Sequence, residues 1–161
     1  MLCRRVVVFG TSVWCLALVA VGVVDGQTLD PRLGTWHLNA AKSEFNPSSE
    51  IRSLTTKVEP ADDGEKVISG FTYADGAILV MQYTAYYDGR DYYLTGSPAV
   101  DSVSLQRIDA RTTERIDKKR GEVVQIQTRI MSEDGKTMTV KVRGKDWIGK
   151  DVRHTLIFEK Q

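Results

Sequence analysis

Gly34-Thr35-Trp36-His37-Leu38 opens a series of short alternating segments that closes only at Leu156-Ile157-Phe158-Glu159-Lys160, on the last residues of the chain. A chain that begins and ends as strand, with hairpin turns between, predicts a sheet closed on itself. Working outward from Trp36, turn signals recur at Asp62-Asp63-Gly64, Asp75-Gly76, Asp88-Gly89, Gly96-Ser97-Pro98, Asp109-Ala110, Arg120-Gly121, Asp134-Gly135 and Gly144-Lys145-Asp146. Asp-Gly between apolar alternations is a strong hairpin signal, because both central residues of a tight hairpin turn must reach positive φ. The intervals predict ten strands at 35–39, 51–59, 65–73, 77–87, 90–94, 100–108, 111–118, 121–131, 136–143 and 151–159. No segment after the N-terminal apolar run has a helical period. Residues 40–50, with Asn39 or Ser43 able to cap one helical turn and Pro47 limiting it, read as a loop over one end.

Alternation assigns faces. Leu79, Met81, Tyr83, Ala85 and Tyr87 share one side of their strand, opposite Val80, Gln82 and Thr84. Val124, Ile126, Thr128 and Ile130 oppose Val123, Gln125, Gln127 and Arg129, and Met138, Val140 and Val142 oppose Thr139, Lys141 and Arg143. Val152, His154, Leu156 and Phe158 form the apolar side of the last strand. Ten antiparallel strands linked by hairpins, with one dry and one wet face, predict an all-β, up-and-down antiparallel barrel. Eight strands hold side chains or one small ligand, so ten predict a cavity. Its expected lining is Met81, Tyr83, Tyr87, Leu105, Ile126, Met138, Val140, His154, Leu156 and Phe158. Any of these could equally serve as plain packing. Tyr83 and Tyr87 are the strongest candidates for a polar ligand head, because a buried hydroxyl requires a partner.

Ahead of the barrel, Arg4 and Arg5 precede an almost wholly apolar run from Val6 to Val24 that ends in small residues. That is the layout of a secretory signal, so residues 1–26 are read as a signal peptide and 27–161 as one domain. An uncleaved membrane anchor is the alternative, since roughly 19 apolar residues suffice to span a bilayer. Trp14 before Cys15 lacks the small residue that lipidation there would need. Removing Arg4, Arg5 and Asp25 takes Lys+Arg from 22 to 20 and Asp+Glu from 21 to 20. Such neutrality argues against a nucleic-acid partner. Cys3 and Cys15 are the only cysteines, so the domain holds no disulfide or thiolate chemistry.

Charge is uneven: residues 27–106 carry 6 basic and 11 acidic side chains, and residues 107–161 carry 14 and 9. One flank is therefore expected to be acidic and the other basic. Lys118-Lys119-Arg120 reads as a solvated hairpin tip or a contact for anionic headgroups. His37 and His154 are the only histidines and fall on opposite faces by parity, a poor metal pair. A lone inward His154 is a core residue or, alternatively, a haem ligand. No nucleophile elbow, phosphate-cradling loop or metal spacing is present, so no enzyme activity, metal or cofactor is expected. Trp147, in Gly144-Lys145-Asp146-Trp147-Ile148-Gly149, reads either as a rim contact or as a plug.

The opening Gly34-Thr35-Trp36-His37-Leu38, followed by Lys42-Ser43-Glu44-Phe45, resembles the start of the calycin barrels, both lipocalins with their Gly-x-Trp and fatty-acid-binding proteins. Thr155-Leu156-Ile157-Phe158-Glu159-Lys160 is similar to the final strand of the latter. Tyr87-Asp88-Gly89-Arg90-Asp91-Tyr92 and Asp134-Gly135-Lys136-Thr137-Met138-Thr139-Val140 resemble recurrent pieces of small secreted bacterial lipocalin-like proteins, a group without an established biochemical role. The resemblance implies a calycin-like barrel. It also sets two departures: the gap after the first strand is too short for a two-helix lid, and Leu156 and Phe158 stand where fatty-acid-binding proteins place Arg-x-Tyr. Without that cation a buried carboxylate would be costly, so a neutral apolar ligand is expected.

The expected function is an exported, non-catalytic, monomeric binder, secreted or periplasmic, holding a small hydrophobic or amphipathic molecule. The alternative is an envelope interaction module whose barrel is filled by its own side chains. Membrane contact is expected only through an uncleaved signal or the Trp147 loop.

Overall fold

The computed structural model describes residues 30–46, 49–146 and 148–161. The N-terminal apolar run and Trp147, with the expectations attached to them, lie outside the described residues. Eleven strands follow one another: β1 Gly34–Leu38, β2 Glu44–Asn46, β3 Ile51–Ala61, β4 Gly64–Tyr73, β5 Ile78–Tyr86, β6 Tyr92–Thr95, β7 Ser102–Arg107, β8 Thr112–Lys119, β9 Glu122–Met131, β10 Thr137–Lys145 and β11 Asp151–Lys160. Ten of them, β1 and β3 to β11, pair antiparallel in sequence order, and β1 pairs with β11 to close the ring. The chain is an all-β, ten-stranded, up-and-down closed barrel, consistent with a calycin-like fold.

The expected loop at 40–50 has more structure than the sequence suggested. Asn39 caps a single 3₁₀ turn at Ala40–Lys42, its side chain accepting from the Lys42 N–H at 3.1 Å. The chain then rejoins β11 as β2, opposite Arg153, His154 and Thr155. β1 and β2 are one strand along β11 interrupted by that turn. Asn39 N–H donates to Ile157 O at 2.7 Å, and Ile157 N–H donates to Ser43 Oγ at 2.9 Å, so β11 loses no ladder bond at the break.

Hairpin chemistry follows the turn glycines. At Asp75-Gly76, Asp88-Gly89 and Asp134-Gly135 only the glycine adopts positive φ, not both central residues as expected, whereas at the Lys118-Lys119-Arg120 tip both Arg120 and Gly121 do. The charge of that tip is partly met by Asp91, 2.6 Å from Lys118 Nζ, and by Asp101, which accepts from the Arg120 N–H at 2.9 Å. At Gly144 a Cβ would fall 2.1 Å from Val124 O, so only glycine allows β9 and β10 to cross that closely.

Cross-strand register fixes which side chains share the interior. One row runs Thr113, Arg129, Val140, Leu156 across β8 to β11, and the next runs Leu105, Arg115, Gln127, Val142, His154 across β7 to β11. On the other wall Val58, Val67, Tyr83 and Leu94 form a row across β3 to β6. Trp36, Leu94, Val103, Leu105 and Met131 are at most 2 % exposed. Residues 30–33 lie against one end: the Trp36 indole N–H donates to Arg32 O at 2.8 Å and Lys160 Nζ to Pro31 O at 3.0 Å. At the opposite end the inward-facing Leu38, Phe45, Ile51, Phe71 and Met81 pack on the core but stay half-buried.

Candidate functional site

Nine of the ten expected lining residues face inward: Met81, Tyr83, Tyr87, Leu105, Met138, Val140, His154, Leu156 and Phe158. Ile126 does not. It stands opposite Ile116 on β8 and Arg143 on β10, on the outer wall. The expected face assignment of β9 is therefore reversed: Gln127, Arg129 and Met131 point inward and the apolar-looking Ile126, Thr128 and Ile130 point out. The physical reason is that the interior is not uniformly apolar, so hydrophobicity alone picked the wrong side of this strand.

A charge cluster occupies the interior of the barrel, towards the end covered by residues 30–33. Glu65 on β4 is 1 % exposed. Its carboxylate accepts from the Tyr83 hydroxyl at 2.6 Å and Arg129 Nη1 at 2.7 Å on Oε1, and from the Tyr87 hydroxyl at 2.6 Å on Oε2. Burial works to raise the Glu65 carboxyl, but the Arg129 charge and the three side-chain hydrogen bonds together hold it below its ordinary value. Burial pushes both tyrosine hydroxyls up, and the adjacent carboxylate adds to this, so both remain neutral donors. The hydroxyl partner expected for Tyr83 and Tyr87 is thus a carboxylate of the chain itself.

Next to it, Arg115 Nε donates to Asp117 Oδ1 at 2.5 Å, and Gln127 Nε2 donates to Asp117 Oδ2 at 2.9 Å. The Arg115 guanidinium lies 4.8 Å over the Tyr83 ring, which ties the two clusters together. Burial works against both the Arg115 and Arg129 charges, yet Asp117 and Glu65 respectively keep them raised above the ordinary value and fully ionised. At the same end the Arg32 and Arg107 guanidiniums lie 5.1 Å and 4.5 Å from the centre of the Tyr87 ring, and both arginines pair with Asp30.

These residues overturn one expectation. The absence of Arg-x-Tyr on the last strand suggested an interior without a cation. Leu156 and Phe158 are indeed apolar, but Arg129 stands two strands away, in register with Val140 and Leu156. The interior has its cations on β8 and β9.

The histidines separate as parity predicts. His37 is exposed on the outer wall, within hydrogen-bond distance of Thr55 Oγ1 at 3.0 Å and Gln161 Oε1 at 3.2 Å. His154 is half-buried inside, its ring tilted 58° against Phe45 at 5.5 Å, and its Nδ1 accepts from the Asn46 N–H at 3.1 Å. Burial lowers its pKa, so it is a neutral ring at neutral pH. No group of three metal-ligating side chains occurs among the described residues. The outer wall carries a groove of about 260 Å³ lined by Lys66, Gln82, Tyr83, Thr84, Tyr93 and Thr95. No protein-family model matches the chain, and no curated protein is significantly similar to it.

Proposed function

We propose that this chain is an exported, non-catalytic, lipocalin-like carrier that holds one small amphipathic molecule inside its barrel. The observation that carries this is the contrast between the two ends. Residues 30–33 cover one, whereas at the other the inward Leu38, Phe45, Ile51, Phe71 and Met81 remain half-buried above the core. Inward-facing apolar surface left partly in water is where an apolar molecule gains most from burial, at roughly 25 cal/mol per Å². The polar cluster below gives such a molecule two chemically different ends to match.

A second reading, a self-filled interaction module, is favoured by one observation. Trp36, Ala85, Val103, Leu105 and Thr113 are so completely covered that no water-sized space adjoins them. Native mass spectrometry of the protein purified from its own source separates the two. A co-purifying lipid or pigment of a few hundred daltons is the expected result; a bare chain that also leaves hydrophobic fluorescent probes dark contradicts the carrier.

A further inference from the structure

Exposed apolar side chains are not spread evenly over the barrel. Ile78, Val80, Val123 and Ile148 are each more than half exposed, and all four stand at the end opposite residues 30–33, around the mouth of the barrel. Ile78 and Val80 lie on one side of it, and Val123 and Ile148 lie on neighbouring hairpins across from them. β8 and β9 turn at Arg120-Gly121, β10 and β11 turn between Lys145 and Asp151, and β9 pairs with β10 as far as Gln125 opposite Gly144, which sets the two tips side by side.

Each tip is built to present its aliphatic residue. The register of β8 and β9 shifts after Asp117, so that Val123 instead of Val124 falls opposite Lys118; Val124 turns onto the core and Val123 into solvent. In the second tip Asp146 Oδ1 accepts from the Ile148 N–H at 3.0 Å and the Lys150 N–H at 2.8 Å, and the Gly149 N–H donates to Asp146 O at 3.1 Å. That closed loop holds Ile148 out at 65 % exposure.

Cations gather on the same two hairpins. Residues 118–123 and 143–153 hold seven basic and three acidic side chains. Asp91, Asp101 and Asp151 pair with Lys118, Lys119 and Lys145. Arg120, Arg143, Lys150 and Arg153 then face only Glu122 and Asp146, a surplus of two positive charges. The other half of the mouth carries Glu44, Glu50 and Asp75 against Arg52, so the cationic face is these two tips and not the whole rim. Aliphatic tips beside unpaired cations match the interface of an anionic bilayer, where the apolar groups enter the acyl boundary and Lys and Arg meet headgroup phosphates. A soluble polyanion would meet the cations and leave Val123 and Ile148 in water.

We propose that the β8–β9 and β10–β11 hairpin tips are a docking surface for an anionic lipid bilayer. Val123 and Ile148 enter the interface, Arg120 and Lys150 contact the headgroups, and Arg143 and Arg153 on the adjoining strands add to the attracting field. This goes beyond the carrier reading and does not need it, since an empty barrel would dock in the same way.

The test is sedimentation of the protein, purified from its own source, with sucrose-loaded vesicles of phosphatidylcholine alone or with about 30 % phosphatidylglycerol. The anionic vesicles are expected to bind about 10- to 30-fold more tightly, two surplus charges at about fivefold each, and salt near 0.5 M is expected to remove most of the difference. Arg120→Asn/Lys150→Gln, in which Asn suits the positive φ of position 120, is expected to reduce the preference to threefold or less. Ile148→Ser is expected to weaken binding to anionic vesicles about fivefold, and Ile108→Ser, at the covered end, to leave it unchanged. Equal binding to the two compositions, or binding to neither, overturns the docking surface while leaving the carrier intact. A preference that survives Arg120→Asn/Lys150→Gln, or an Ile108→Ser effect as large as that of Ile148→Ser, overturns the assignment to these tips.

Discussion

Glu65→Leu is expected to destabilise the barrel by about 3–5 kcal/mol, because it leaves the Arg129 guanidinium buried without a counter-charge and takes the acceptor from two tyrosine hydroxyls. The effect is a property of the pair more than of the carboxylate. The double variant Glu65→Leu/Arg129→Met, apolar on both sides, should therefore be more stable than Glu65→Leu alone in urea unfolding. If the double variant is the less stable one, the two residues do not act as a buried pair. The same pair predicts acid sensitivity. A carboxyl held below its ordinary value of about 4.5 contributes its full stabilisation above that pH and loses it as pH falls through the folded-state value. Wild-type stability should thus fall below about pH 4.5, and the Glu65→Leu/Arg129→Met variant should show a smaller fall.

Trp36→Ala is expected to cost a similar amount, about 3–5 kcal/mol, through lost burial and the cavity left behind. Trp36 is fully buried on β1, the strand that closes the ring against both β3 and β11, and its indole N–H is the bond that draws residues 30–33 over the barrel end. Lys160 Nζ, 5.2 Å from the ring, covers it from the last strand. Trp36→Phe keeps most of the apolar volume but removes the donor to Arg32 O, so it should cost less than half as much while increasing proteolytic cleavage near residues 30–33. A loss below 1 kcal/mol for Trp36→Ala in chemical denaturation would show that closure does not depend on this residue.

The strand pattern was readable because Asp-Gly turns and period-two alternation are local signals. All ten expected strands exist, and the boundaries move by no more than about two residues. β2 was missed because three residues with no partner of their own carry no period; only the register of β11 reveals them. The site was half readable. On strands whose inward face is apolar, such as β5, β10 and β11, alternation named the inward-facing residues. On β9 it named the outward ones and on β8 it named none, since Thr113, Arg115, Asp117, Gln127 and Arg129 look like solvent-facing residues when hydrophobicity is the only guide.

A signal for them was present in the turn. A hairpin centred on Asp134-Gly135 pairs Met131 with Met138, and hence Arg129 with Val140. Once Val140 is inward, Arg129 must be too. Glu65 was harder to foresee, because a lone acidic residue at the start of a strand beside Asp62-Asp63-Gly64 is ordinarily explained by the turn. Its partners come from β5 and β9, far away in sequence.

The proposed carrier role places one small amphipathic molecule inside the barrel. A crystal structure of the protein purified from its own source, without any delipidating step, tests it most directly. The carrier reading predicts an extended molecule within the barrel, its apolar part against the half-buried Leu38, Phe45, Phe71 and Met81. An interior closed by the chain's own side chains, with no such molecule in it, would contradict it.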